Sequence, residues 1–210
     1  MSHSLDGATR LGSVQKQRRL LLRMAALPLL PLILVTASTW RGGGMWHEGI
    51  ESFGLLLILV CVLGRAMCTL YIGGRKSAEL VTIGPYSVSR NPLYFFSLLG
   101  TVGAGLMFGS MVVGGFFGCL YFLAFDRLIR KEERFLDLSF PMQFAAYCAV
   151  TPRWLPRWQL WKSVDEIVVR PKLVFNTLRD ATLFMLTVPL FEAVEWLQQS
   201  GLLPVYLRLP

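Results

Sequence analysis

Apolar residues gather along this chain in long unbroken blocks separated by short polar or basic stretches, with no strand-like alternation and no sustained heptad rhythm. A polar head runs to Arg23 and is followed by a first apolar block from about Met24 to Trp40, whose Pro28 and Pro31 membrane helices tolerate when neighbours satisfy the freed carbonyls. The long polar head ahead of this block does not fit a signal peptide. A second block runs from about Ser52 to Ile72 and ends at Gly73-Gly74-Arg75-Lys76, with Trp40 and Trp46 bracketing the loop before it. From Leu93 to Phe125 the chain stays apolar for about 33 residues, too long for one crossing at roughly 20 residues and short for two. A tight hairpin near Gly109-Ser110 resolves this, with the second arm prolonged through Asp126 to about Leu138. A last block covers about Ala181 to Leu197, where Pro189, Glu192 and Glu195 leave two alternatives open, a span or a half-buried helix. The pattern predicts an all-α fold: an integral membrane helical bundle of about five transmembrane helices. It divides into a cytoplasmic N-terminal segment, 1–23, a core, 24–160, and a C-terminal extension, 161–210, holding the fifth candidate.

Composition agrees, since 54% hydrophobic residues against 16% charged is poor material for a water-facing surface. The net charge of +8 suits either nucleic acid or an anionic membrane leaflet, but the cations flank apolar blocks instead of lining one polar element, so no nucleic-acid partner is expected. Five Lys and Arg lie in the head, three between Arg75 and Arg90, and ten between Arg127 and Arg179, so eighteen of the 21 fall on one side of the layout. By the positive-inside rule that side is cytoplasmic: a multi-pass protein with its N-terminus inside and its C-terminus outside. Arg65 lies within a span, where a charge either snorkels or faces a pocket. The cysteines 61, 68, 119 and 148 show no C-x-x-C spacing, and only His3 and His47 supply imidazole, so no metal centre is expected.

Two segments carry chemistry. The first reads Leu80-Val81-Thr82-Ile83-Gly84-Pro85-Tyr86-Ser87-Val88-Ser89-Arg90-Asn91-Pro92-Leu93-Tyr94. Gly84-Pro85 makes a turn, Asn91 suits an N-cap, and Pro92 sits at the first helical position, so the loop delivers a helix N-terminus with Arg90 beside it, a place for an anion. The plain alternative is an ordinary capped membrane helix. The second segment leaves the fourth span as Asp126-Arg127-Leu128-Ile129-Arg130-Lys131-Glu132-Glu133-Arg134 and continues through Phe140, Phe144 and Tyr147 to Pro152-Arg153. Paired carboxylates among cations at a membrane exit are either a solvated helix end or a ligand-binding group.

Together the two segments resemble the isoprenylcysteine carboxyl methyltransferase family, with phospholipid N-methyltransferases as more distant relatives. The likeness covers roughly Leu55 to Pro156, and the Arg-Asn-Pro-Leu-Tyr core and Glu132-Glu133 are its most specific parts. It implies a membrane enzyme that binds S-adenosylmethionine in a cytosolic-side pocket roofed by the loops, acting on a lipid or lipid-linked substrate. It also implies that Leu80, Val81, Tyr86, Arg90, Asn91, Pro92, Leu93, Tyr94 and Glu132 hold the cofactor, with Asn91 standing where most members have His. Two further departures are Phe96 and Pro141, each where a Gly is usual. The Gly103-Ala104-Gly105 run matches a cofactor-side G-x-G of phospholipid methyltransferases, although the many glycines of both hairpin arms favour close helix packing.

Methyl transfer requires donor and acceptor held in line in a dry site. A carboxylate acceptor needs no general base and gains from an orienting cation, Arg127 or Arg130; an amine must arrive deprotonated, with Glu133 as proton acceptor. The first reading is S-adenosylmethionine-dependent carboxyl O-methylation of a membrane-embedded or lipid-linked acceptor. The alternatives are N-methylation of a phospholipid amine and, from another class, a non-catalytic bundle that binds a lipid or protein partner.

Overall fold

The computed structural model describes residues 34–39, 45–73 and 79–209. Over these the chain is mainly helical: α1 (Met45–Ile72), α2 (Pro85–Val88), α3 (Pro92–Leu106), α4 (Met111–Ser139), α5 (Pro141–Val150), α6 (Pro171–Thr182) and α7 (Thr187–Gln199). Two short strands, β1 (Thr36–Ser38) and β2 (Leu207–Leu209), pair in parallel.

Among the described residues α1 and α4 are the helices long and apolar enough to cross a membrane. They correspond to the expected second and fourth spans. Helix α1 begins at Met45 rather than near Ser52, so Trp46 and His47 are helical where a loop was expected, and Glu48 in the first turn favours that early start. The hairpin falls where the length of the apolar run requires it: Gly109 takes φ 69°, and Ser110 caps α4 by accepting a hydrogen bond from the Val113 N–H at 3.3 Å. Helix α3 has 15 residues, about 22 Å of rise, and is shorter than the roughly 30 Å hydrocarbon core. Helix α4 takes up the extra length and runs on to Ser139.

Two expectations are corrected. Most of the first apolar block, and the whole N-terminal segment, lie outside the described residues, but the block's end is no helix: Thr36–Ser38 form β1. A strand end without water needs other partners. Strand β2 supplies them, and Gln198 Nε2 donates to the Leu34 and Thr36 carbonyls at 2.8 and 3.0 Å. The block at 181–197 is likewise not one regular helix, because a 3-10 turn at Leu183–Leu186 separates α6 from α7. Pro189 falls in the first turn of α7, where its missing N–H costs little.

Glycines set the close approach of the helices. A methyl group on Gly54 would stand 2.8 Å from the Gly103 carbonyl across the α1–α3 contact, and one on Gly105 would stand 2.7 Å from Gly114 Cα across the hairpin. Gly103-Ala104-Gly105 is thus packing surface near the hairpin, about 18 Å along α3 from Asn91. Arg65 is buried instead of snorkelling and faces a partner: it donates to the Ser97 hydroxyl, joining α1 to α3. Phe53, Leu56 and Leu63 of α1 and Phe116, Phe122 and Leu123 of α4 are exposed, an apolar exterior that hydrocarbon solvates better than water.

Candidate active site

The loop between α1 and α3 is built against the chain that follows α5. Gly84 turns at φ 56°, where an added methyl would strike the Tyr71 ring, and the Ser87 hydroxyl donates back to the Gly84 carbonyl at 2.6 Å. The outer layer then closes over it. The N–H groups of Gly84, Arg90 and Arg157 reach the carbonyls of Lys162, Pro152 and Val88 at 2.9, 2.8 and 2.9 Å, and the Ser89 hydroxyl reaches the Trp154 carbonyl at 3.1 Å. The buried Tyr147 hydroxyl donates to the Tyr86 carbonyl. Most polar groups of this loop are satisfied inside the protein, as burial demands.

Pro92 does open α3, but Asn91 does not cap it with its side chain. The amide nitrogen turns instead to Glu133, donating to Oε1 at 3.0 Å and to the Arg153 carbonyl at 3.3 Å. Glu133 is buried and enclosed by charge. Arg90 Nε lies 3.4 Å from Oε1, while Arg153 meets Oε2 with Nε at 2.8 Å and an outer guanidinium nitrogen at 2.7 Å. A buried carboxylate is tolerated here because each of its oxygens accepts a hydrogen bond and two guanidiniums face it. The bond from Glu133 raises the Arg153 guanidinium further above its ordinary value. One turn of α3 onward, the Tyr94 hydroxyl donates to Glu132 Oε1 at 3.0 Å, and Glu132 itself is half-buried. The paired carboxylates therefore divide: Glu133 is sealed inside, Glu132 stands at the rim.

The residues expected to act together are mostly brought together. Arg90, Asn91, Tyr94, Glu132 and Glu133 share one cluster, although α3 and the end of α4 lie some 40 positions apart in the chain. Tyr86 packs with Phe96 and Cys68, and Val81 and Leu93 lie half-buried against that group; Pro92 is buried and Leu80 half-buried. Burial pushes the Tyr86 phenol well above its usual value. Arg127 and Arg130 do not join the cluster. Both are exposed, and Arg130 bonds Asp126 at 2.7 Å, an i,i+4 pair along α4. Arg153 was not foreseen as a site residue, though it directly follows the Pro152 of the recognised segment. It takes the place that spacing had suggested for Arg127 or Arg130. Cys148, which accepts from Arg90, was also missed, and nothing in its sequence context marks it.

The departures from the family pattern are accommodated. The Phe96 ring occupies the space left open by Gly64 on α1. Pro141 opens α5 directly after the bend at Phe140. The residues also fit the chemistry of S-adenosylmethionine. The rim carboxylate of Glu132 suits its cationic groups, and Val81 and Leu93, half-buried beside Tyr86, offer apolar surface to its adenine.

Comparison with known proteins places this arrangement. The model of the phospholipid methyltransferase family matches residues 52–143. The nickel-cobalt-cadmium resistance protein NccN of Alcaligenes xylosoxydans xylosoxydans is 32% identical over 87% of this chain and 86% of its own length. The cobalt-zinc-cadmium resistance protein CzcN of Cupriavidus metallidurans is 33% identical over 86% of this chain and 83% of its own length. Protein-S-isoprenylcysteine O-methyltransferase B of Arabidopsis thaliana is 28% identical over 52% of this chain and 61% of its length. No solved structure is a significant match. The motifs of the loop and of the α4 exit, the family model and these relatives agree, and the chain belongs to the phospholipid methyltransferase family, the group of membrane methyltransferases with which isoprenylcysteine O-methyltransferases share distant homology.

Proposed function

We propose that this chain is an S-adenosylmethionine-dependent methyltransferase acting on a carboxylate of a membrane-embedded or lipid-linked acceptor. The observation that carries the reading is the meeting of two distant segments, Asn91 with Glu133 and Tyr94 with Glu132, each at 3.0 Å. S-adenosylmethionine supplies an electrophilic methyl on a sulfonium. The protein's part is to bind, orient and exclude water. Glu132 and Tyr94 take the cationic part of the donor, while Val81, Tyr86 and Leu93 shield it. Arg153 orients carboxylate groups at the rim, a positioning role that Arg127 and Arg130 are placed too far out to fill. In carboxylate methylation opposite charges disappear in the transition state, so a site shielded from water favours it.

The description of the matching family favours a second reading, methylation of a phospholipid amine. Against it stands the state of Glu133. Both of its oxygens are engaged by two guanidiniums and an amide of the protein itself, so it is badly placed to reach an amine at the rim. We place the loops that carry the site on the cytoplasmic face, following the distribution of Lys and Arg. The names of the two bacterial relatives suggest metal resistance as the setting.

The test is the product. The full chain in nanodiscs of native lipid is incubated with methyl-labelled S-adenosylmethionine, and the labelled lipid fraction is treated with base. Label released as methanol identifies an ester and supports the carboxylate reading; base-stable label identifies an N-methyl group and moves the chain to the amine reading. Glu132→Ala should weaken cofactor binding about tenfold in calorimetry, roughly 1.4 kcal/mol. Absence of both cofactor binding and labelled product leaves the non-catalytic bundle.

A further inference from the structure

The chain that follows the Arg153 return forms a strap from Arg157 into α6, and methyl transfer makes no use of its outer surface. It is fastened to the bundle at both ends. At the first end the Arg157 N–H donates to the Val88 carbonyl at 2.9 Å, the Lys162 N–H donates to the Ser87 hydroxyl at 3.0 Å, and the Trp161 ring meets Tyr71 edge-on with centroids 6.3 Å apart. At the second, the Thr69 hydroxyl in the last turn of α1 donates to the Thr177 hydroxyl of α6 at 3.0 Å. Helix α6 packs by one face: Val174, Thr177 and Leu178 are half-buried and Ala181 is fully buried, at i, i+3, i+4 and i+7. Lys172, Phe175 and Arg179, at i, i+3 and i+7, form the opposite, exposed side. Exposed residues continue from there at helical spacing through Leu183, Leu186 and Leu190, so an apolar stripe is headed by cations.

Depth and charge say what that stripe faces. Helix α1 has 28 residues, about 42 Å of rise against a hydrocarbon core of roughly 30 Å, so with α1 across the bilayer its last turn stands at headgroup level. Thr177 is bound to that turn, and Phe184 beyond it lies against Gly100 in the body of α3, so the chain descends into the bundle from the cations. Along the helix Lys172 falls about 8 Å outside Thr177 and Arg179 about 3 Å inside it, within snorkelling reach of the surface. From Arg157 to Arg179 the chain carries five cations, all exposed, against the two carboxylates Asp165 and Glu166. Arg179 meets the exposed Asp180 at 3.6 Å, a weak pair in water, whereas Arg157, Lys162, Arg170 and Lys172 form no ion pair among the described residues. Phe175 is 69% exposed and Val168 75%, so apolar surface is interleaved with the cations.

We infer that the strap and the outward side of α6 form a docking surface for anionic phospholipid of the leaflet at the loop end. The headgroup phosphate lies on Arg170, Lys172 and Arg179, and an acyl chain follows Phe175, Leu183 and Leu186. A soluble acidic protein or a nucleic acid would use the cations alone. The apolar stripe below them reaches Leu190, 18 positions or about 27 Å from Lys172, a length that only hydrocarbon covers. Each Lys or Arg near an anionic leaflet adds attraction enough for about a fivefold preference, and the fastening at both ends presents these side chains on a fixed frame. The inference does not rest on the methyltransferase reading.

The test puts a reporter on the surface. The full chain carrying Phe175→Trp and the parent chain are reconstituted side by side in vesicles of phosphatidylcholine and phosphatidylglycerol, with bromine on the acyl chains of one lipid or the other. The fluorescence added by the substitution should be quenched at least about threefold more strongly, mole for mole, by brominated phosphatidylglycerol than by brominated phosphatidylcholine. Adding Lys172→Gln with Arg179→Gln to the reporter chain should bring the two lipids close to level. Where that variant does not fold, salt decides: in about 1 M NaCl, with a Debye length of about 3 Å, the preference of the reporter chain itself should collapse. Equal quenching by both lipids, no quenching by either, a preference that salt leaves untouched, or one kept in full by a folded double variant would each overturn the inference.

Discussion

The two ends of the helical bundle treat buried charge in opposite ways. At the loop end one carboxylate, Glu133, meets two guanidiniums and an amide; at the hairpin end Glu51 and Glu195 share one imidazole, with further carboxylates nearby. The same bundle supports both. The difference is in what each end can complete by itself. The Glu133 cluster is closed: it ties Asn91, Arg90 and Arg153 together beside the rim pair Glu132 and Tyr94. The His47 group sets two carboxylates around one imidazole, with Glu51 at 3.2 Å and Glu195 at 3.8 Å.

The largest effect expected from this contrast is on stability. Glu133→Gln leaves two guanidiniums facing a neutral amide in a buried place, and loss of one partner from such a pair costs about 3–5 kcal/mol. Glu51→Gln removes one of several like charges and should be neutral or slightly stabilising. Thermal unfolding in detergent, followed by tryptophan fluorescence, separates the two. Equal losses would remove the distinction between a balanced and an unbalanced end.

Much of the loop end was legible in the sequence, and the physical reason is local. A Gly-Pro turn, an Asn-Pro helix start and a carboxylate pair are each written in adjacent residues, and all are found. The hairpin was equally legible, since an apolar run too long for one crossing must turn, and Gly109-Ser110 offers the turn. What sequence could not supply was direction around a helix axis combined with a long return. Arg127 and Arg130 are near Glu133 in the chain but stay exposed, Arg130 turning back to Asp126, whereas Arg153 returns to Glu133 after α5. The hairpin end was invisible for the same reason: His47, Gly109 and Glu195 come from three distant segments, and two imidazoles in the whole chain gave no spacing to read. The strand at Thr36–Ser38 was hidden because its partner lies at the far end of the chain.

Gly109→Ala sharpens the comparison from the hairpin side. Its positive φ disfavours any side chain, and the new methyl would enter the His47 ring position, so a loss of about 1–3 kcal/mol is expected. Binding of S-adenosylmethionine at the other end should not change, since Gly109 lies more than about 20 Å along α3 from Asn91. A loss of cofactor binding in calorimetry would couple the two ends and defeat the contrast between them.

Arg153→Lys is a smaller perturbation of the loop end. It keeps the positive charge but gives up the planar fork that meets Glu133 with two nitrogens, at 2.8 and 2.7 Å. About 1 kcal/mol of stability and roughly a fivefold fall in kcat/KM are expected, both smaller than for Glu133→Gln. If Arg153 orients the acceptor carboxylate, KM for the acceptor should rise more than KM for S-adenosylmethionine. An equal rise in both would reduce Arg153 to a prop for the loop.

The smallest expected effect is that of pH, and its size follows from the groups on the page. Arg153 is raised by Glu133, so the stability it lends is present below its unfolded value and is lost only as pH climbs through the still higher folded one. Tyr86 and Tyr147 are held neutral by burial, and the cost of ionising them is felt only above pH 10, where the unfolded chain gives up those protons first. Neither effect enters the interval from about pH 6 to 8. A carboxylate acceptor with a pKa near 4 is already ionised there, so methylation of it should be flat across the interval. An amine acceptor with a pKa near 10 must first lose a proton, which Glu133, engaged on both oxygens, is badly placed to take, so its rate should climb about tenfold per pH unit. Single-turnover rates with chemistry limiting distinguish the profiles. A flat line agrees with a sealed, charge-balanced loop end that only positions its reactants, whereas a steep rise would mean that the acceptor's own proton controls the reaction.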